Sequence, residues 1–187
     1  MAGDQEQDFK RLLEAMKNAS GLLHDADVPV VLGGGLACWA RGAPKTEHDV
    51  DFLVRPGDAE RGLQALQNAG MRTERPPEGW LLKAYDDDVL IDLIFAPQGG
   101  AVDDALFDRA EDLEVHATRL KVAALEDVLV QKLLALSEQD PDYSSVLEIA
   151  RSLREQVNWD DVRERTAESP FATAFFTLLD ELEIVSS

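Results

Sequence analysis

Three aspartates carry the strongest chemical signal in this 187-residue chain: Asp49 and Asp51, which flank Val50, and Asp92, set between Val89-Leu90-Ile91 and Leu93-Ile94-Phe95. A bare Asp-x-Asp says little, because it recurs at Asp25/Asp27, Asp86/Asp88 and Asp140/Asp142. Asp49 and Asp51 differ in leading directly into Phe52-Leu53-Val54. Alternate residues of a β-strand share a face, so both carboxylates project together, roughly 6 to 7 Å apart at the backbone. At that separation their oxygens can converge on divalent cations. Asp92 is surrounded by apolar neighbours, where an unpaired carboxylate carries a steep desolvation penalty. A strand position beside Asp49/Asp51 would answer that penalty. The three carboxylates would then hold magnesium, two ions by preference, which activate an attacking hydroxyl and stabilise a leaving pyrophosphate. Asp92 would also stand ready to accept the hydroxyl proton as general base.

Upstream, Gly33-Gly34-Gly35 closes the apolar run Val28-Pro29-Val30-Val31-Leu32. Gly34 and Gly35 follow a strand and precede a short helix, an arrangement whose backbone N–H groups can cradle phosphate oxygens. Arg41, Lys45 and Thr46 lie between these glycines and the aspartates, placed by sequence to contact phosphates. Two commoner phosphate motifs are absent: there is no G-x-x-x-x-G-K-[ST], and Cys38 stands where the last glycine of G-x-G-x-x-G belongs.

The elements that must position these residues follow from periodicity. Residues 8 to 24 space Phe9, Leu12, Leu13, Met16, Leu22 and Leu23 as an amphipathic helix. Strands are expected at 28 to 32 and 50 to 54, a short helix at 36 to 40, and a longer one from Pro56 to Gly70. The stretches 80 to 85 and 89 to 95 read as a hairpin turned at Asp86-Asp87-Asp88. Beyond Gly100 the pattern becomes helical, at 125 to 136, 141 to 153, 159 to 167 and 170 to 182. Asp140, Asn158 and Ser169 stand at N-cap positions. The expected fold is therefore α/β (α+β): a mixed sheet flanked by helices over residues 1–120, then a helical subdomain over 121–187.

Bulk composition narrows the partners. With 18 Lys and Arg against 37 Asp and Glu, the net charge is −19, which disfavours nucleic acid unless the basic residues gather on one face, and suits a cationic small molecule. No run of 18 apolar residues and no basic, apolar leader is present, so a cytoplasmic location is expected. The single cysteine, Cys38, and three scattered histidines make no zinc site. His48, beside Asp49, reads best as a surface residue, and Trp39, Trp80 and Trp159 as core or interface residues.

At these residues the chain resembles the DNA polymerase beta-type nucleotidyltransferase superfamily, in its small bacterial branch of antibiotic nucleotidyltransferases and AbiEii-like toxins. The matching text is VVLGGGLACWARGAPKTEHDVDFLV followed by VLIDLIF. The resemblance implies a nucleotide-phosphate role for Gly34 and Gly35, metal binding at Asp49 and Asp51, and the third carboxylate at Asp92. The stretch LEDVLVQKLLAL resembles a helix of this branch whose lysine points at the nucleotide; that position is Lys132. The sequence departs from the family in having Gly35 where serine often stands and Lys45 where arginine does. The implied activity moves a nucleoside monophosphate from an NTP to a hydroxyl acceptor. A cationic antibiotic, a protein hydroxyl and a tRNA end all fit as acceptor, the last disfavoured by charge. The rival is a non-catalytic nucleotide-binding protein of the same fold, a partner in a toxin–antitoxin pair.

Overall fold

A computed structural model describes residues 2–45 and 49–185. The chain runs α1 (Ala2–Asp25), β1 (Val30–Leu32), α2 (Gly34–Trp39), β2 (Asp49–Val54), α3 (Pro56–Asn68), β3 (Arg72–Glu74), β4 (Leu81–Asp86), β5 (Val89–Ile94), α4 (Asp104–Arg109), β6 (Glu111–Val115), β7 (Thr118–Val122), α5 (Leu125–Ala135), α6 (Ser144–Leu153), α7 (Trp159–Arg165) and α8 (Pro170–Glu181). Among the described residues, seven strands form one mixed sheet in the order β3-β4-β5-β2-β1-β7-β6. This is the expected α/β class, with every described element after Val122 helical.

Helix α1 buries Phe9, Leu12, Leu13, Met16, Ala19 and Leu23, the i, i+3, i+4, i+7 face read from the sequence. It packs with α3 over the sheet. The central strands are apolar on both faces, with Val50, Phe52, Leu53, Ile91 and Leu93 all buried, as strands covered on both sides must be. Strand β2 runs antiparallel to β1 and parallel to β5. β4 and β5 form the expected hairpin, Asp86 opposite Val89, its turn holding Asp87 in the left-handed region that aspartate tolerates.

Several boundaries shift. Strand β1 starts at Val30, two residues later than expected, and α2 at Gly34, two earlier. Helix α6 starts at Ser144 rather than Pro141, because Asp142 instead of Asp140 supplies the local acceptor, taking a hydrogen bond from the Ser144 amide at 2.8 Å. The other two caps form: Asn158 accepts from the Asp161 amide and Ser169 from the Ala172 amide. A whole hairpin, β6–β7, occupies residues for which the sequence suggested no element. Its strands alternate charged and apolar residues at the sheet edge, and its turn is His116-Ala117, both at positive φ, in place of the Asn-Gly type that marks such turns.

Candidate active site

One row of residues crosses the middle of the sheet. Asp51 on β2 is the direct neighbour of Asp92 on β5, and Asp92 lies opposite Lys83 on β4. On the other side the Gly33 amide donates to the Asp51 carbonyl at 2.8 Å. Asp49, two residues before Asp51, shares its face. Strand pairing alone therefore brings three carboxylates together, each offering an oxygen within 4.8 Å of the others'. Asp92 is buried, and Asp49 and Asp51 are half-buried.

The first glycines make room for this row. A Cβ on Gly34, which sits at φ +54°, would fall 1.7 Å from Asp51 Oδ2, and one on Gly33 would press on Leu53 at 3.3 Å. Gly34 is thus demanded twice, by a left-handed backbone and by the carboxylate against it.

The electrostatics are those of an under-compensated acid cluster. Burial, the nearby charges of Asp49 and Asp92, and only partial relief from Lys132 and Lys83 push the Asp51 carboxyl up to about 7. Asp92 is raised too, chiefly by burial, against a 3.1 Å hydrogen bond from Lys83 Nζ that favours its charged form. Three carboxylates with converging oxygens and a proton retained near neutrality form a donor set that fits a hard divalent cation.

Two cavities meet at this cluster. The smaller, about 310 Å³, is lined by Gly35, Cys38, Lys45, Lys132 and Glu148 together with Asp49 and Asp51. The larger, about 660 Å³, adds Gly34, Asp92, Trp80, Gln98 and Gln131 to Asp49, Asp51 and Lys132. Lys132, near the end of α5, lines both, and no carboxylate among the described residues lies within 4.0 Å of its ammonium.

The remaining residues singled out in the sequence fare differently. Lys45 rims the smaller cavity, but its ammonium pairs with Glu6 and lies over the Phe9 ring at 5.1 Å. Arg41 is not brought to the aspartates: its buried side chain donates to the Ala37 carbonyl at 3.4 Å and approaches Glu111 at 3.5 Å, lining neither cavity. Thr46 and His48 lie outside the described residues. Trp39 packs edge-on against Phe9 and Trp159 donates to the Arg154 carbonyl, as framework residues do. Trp80 departs from that reading, being 39% exposed on the wall of the larger cavity. Sequence reasoning also missed Lys83. A two-residue turn at Asp87-Asp88 fixes the hairpin register and so places residue 83 across from residue 92, which was the available signal.

Comparison with known proteins gives these features a context. The family described as uncharacterised nucleotidyltransferase matches residues 5–182. The chain belongs to that family and is an enzyme of the nucleotidyltransferase class. Among solved structures it resembles ANT(2″)-Ia in complex with adenylyl-2″-tobramycin, at 13% identity and TM-score 0.64, over 87% of this chain and 98% of that one. A solution structure of the same antibiotic-resistance factor matches at 14% identity and TM-score 0.65, over 93% and 98%. An antigenic nucleotidyltransferase-like protein from Paracoccidioides brasiliensis matches at 13% and 0.51, over 94% and 88%. At these identities the likeness is one of fold. No curated protein matches the chain by sequence.

Proposed function

We propose that the chain moves a nucleoside monophosphate from a magnesium-bound NTP to the hydroxyl of a small acceptor, releasing pyrophosphate. The observation that carries this reading is the convergence of Asp49, Asp51 and Asp92 within 4.8 Å at the junction of two cavities. Asp92 lines only the larger cavity, so a hydroxyl approaching its carboxylate comes from that side. The smaller cavity, with Gly35, Lys45 and Lys132 on its wall, then receives the donor's phosphates. In the reaction the acceptor oxygen gives its proton to the Asp92 carboxylate and bonds to the α-phosphorus. The bond from that phosphorus to the bridging oxygen breaks, and pyrophosphate leaves. A divalent cation held by Asp49, Asp51 and Asp92 would supply charge neutralisation at the reacting phosphate and acidify the attacking hydroxyl. Lys83 fixes the Asp92 carboxylate at 3.1 Å and favours its ionised, proton-accepting form. Lys132, reaching both cavities, neutralises charge on the phosphates.

The acceptor favoured by a −19 chain is a hydroxylated cation of antibiotic size, and ANT(2″)-Ia, of similar fold, has been seen with adenylyl-2″-tobramycin. The cytoplasm, which supplies NTP and magnesium, is the compartment this reading requires. None of the described helices is long and apolar enough to cross a membrane.

The test is calorimetry with ATP, CTP, GTP and UTP, with and without magnesium, on the wild type and the Asp49→Asn/Asp51→Asn variant. Magnesium-dependent binding of one nucleotide, lost in the variant, is expected. Turnover should fall by about 10³-fold or more, since several kcal/mol of charge stabilisation disappear at 1.4 kcal/mol per decade. A folded wild type that binds no nucleotide would overturn the reading in favour of a non-catalytic role.

A further inference from the structure

A third cavity, of about 850 Å³, lies at the other end of the sheet. Its wall includes Val28 to Val30 at the start of β1 and Arg55 just past the end of β2. Because β1 and β2 are antiparallel, this is the end opposite the carboxylates, which sit where β1 finishes and β2 begins. The cavity is roofed by α1 and flanked by β7.

Its charge is inverted relative to the molecule. The chain carries 18 basic and 37 acidic side chains, yet Lys17, Arg55, Arg119 and Lys121 line this cavity with His24, against the single carboxylate of Asp108. Arg55 pairs with Asp104 at 2.7 Å and stacks on the Phe107 ring at 3.8 Å, and Lys121 approaches Asp112 at 3.9 Å. Lys17 and Arg119 have no carboxylate within 4.0 Å among the described residues. At physiological ionic strength charges beyond about 8 Å are largely screened, so this local lining, more than the net −19, sets what binds here.

The α1 side of the cavity is left open by a glycine. Gly21 faces the cavity from the interior of a 24-residue helix, where glycine is a poor helix former, yet a Cβ there would meet nothing within 4 Å. Packing does not require the glycine, and its lack of a side chain leaves the α1 wall of the cavity open.

We infer that this cavity is a second, non-catalytic site for a small phosphate polyanion, a di- or triphosphate, held between Lys17 of α1 and Arg119 of β7. The inference is independent of the reaction proposed above. A pyrophosphate or nucleoside polyphosphate bound here would sit beside Val30 of β1 and Arg55 just past β2; the far end of β1 leads into the active-site glycines, and β2 carries Asp49 and Asp51.

The test is a titration of the full chain with inorganic pyrophosphate in excess EDTA, followed by backbone amide resonances. Shifts at Gly21, Thr118 and Arg119 are expected. Charge reversal in Lys17→Glu/Arg119→Glu should weaken the binding about tenfold or more, whereas Asp49→Asn/Asp51→Asn should leave it unchanged. Gly21→Leu, which puts an apolar side chain on the α1 wall beside Lys17, should weaken binding while preserving the fold and the net charge. ATP binding tighter than pyrophosphate would assign a nucleotide to the site, and equal affinities the inorganic ion. Shifts confined to Gly34, Gly35 and Lys132, no shifts at millimolar pyrophosphate, or unchanged binding in the folded Gly21→Leu protein would overturn the inference.

Discussion

Two buried acid sites lie along helix α5, and they are built on opposite principles. Asp127 is 1% exposed, and its carboxylate accepts from Arg109 Nε at 3.0 Å and Nη2 at 2.9 Å, with Arg165 bonded to it as well. One negative charge meets two guanidiniums, and Arg165 passes its surplus to Asp161 at 3.0 Å. The Asp49, Asp51 and Asp92 cluster reverses the ratio: among its three carboxylates, Asp92 has a hydrogen-bonded ammonium, that of Lys83, with Lys132 acting from further away. The first site is a closed joint tying α4, α5 and α7 together. The second holds an excess of negative charge that is relieved by a proton retained on Asp51 or by a further cation. Burial of an acid therefore does not by itself mark a reactive site; the local ratio of acids to cations does.

Making the same substitution at both sites sets them directly against each other. The largest expected effect on stability is at the closed joint. Asp127→Asn leaves two guanidiniums without their counter-charge and should cost roughly 2–4 kcal/mol in urea unfolding, since breaking a buried pair from one side is strongly destabilising. Magnesium-dependent nucleotide binding should survive at low temperature. A cost below about 1 kcal/mol would mean that Arg109 and Arg165 simply turn to solvent and that the joint contributes little.

The contrast between these sites also marks what could be read from the sequence. Asp127 in Leu125-Glu126-Asp127-Val128-Leu129 looks as anomalous among its neighbours as Asp92 does in its own run, and nothing in the linear text names Arg109 or Arg165 as partners. Asp49 and Asp51 were legible because strand periodicity needs only the next few residues to show that two side chains share a face. Their convergence with Asp92 depended on β2 and β5 being neighbours, a pairing between strands 35 or more residues apart that topology decides. Arg41 shows the reverse failure. It stands between the glycine turn and the aspartates in sequence, but the end of α2 directs it toward Glu111 on β6, a strand that the alternating charges of its hairpin had hidden. Local patterns thus gave the central strands and most helices, whereas the edge hairpin and the cation partners depended on long-range pairing.

At the open cluster the same change should have the opposite sign. Asp51 keeps its proton in the folded state up to about 7, against an ordinary value of 3.8, so between those values the folded protein binds a proton that the unfolded chain has released. Stability therefore falls as pH rises through that window. With metal chelated, Asp51→Asn should stabilise the protein by roughly 1–3 kcal/mol near pH 8, and the gain should fade toward pH 4. Thermal melts in EDTA across that range measure it. A destabilised variant at pH 8 would show that hydrogen bonding to the ionised carboxylate outweighs the burial and crowding that raise it.

The smallest effect is the most discriminating, because it acts on the one ammonium that, among the described residues, is hydrogen-bonded within the cluster. Lys83→Met deprives Asp92 of its 3.1 Å partner while keeping the apolar stem that packs along β4. In EDTA the loss should be modest, about 1 kcal/mol, because Asp92 can take up a proton in place of the lost ion pair. Magnesium should then narrow the gap between variant and wild type, since the metal supplies the positive charge that the lysine no longer does. Lys83→Arg, which keeps the charge, should show neither the loss in EDTA nor the narrowing. If magnesium instead stabilises the wild type and Lys83→Met by equal amounts, Lys83 and the cation do not share Asp92. The ammonium would then be a fixed part of the scaffold, as Arg109 and Arg165 are around Asp127, and the distinction between the open and the closed acid site would fail at that residue.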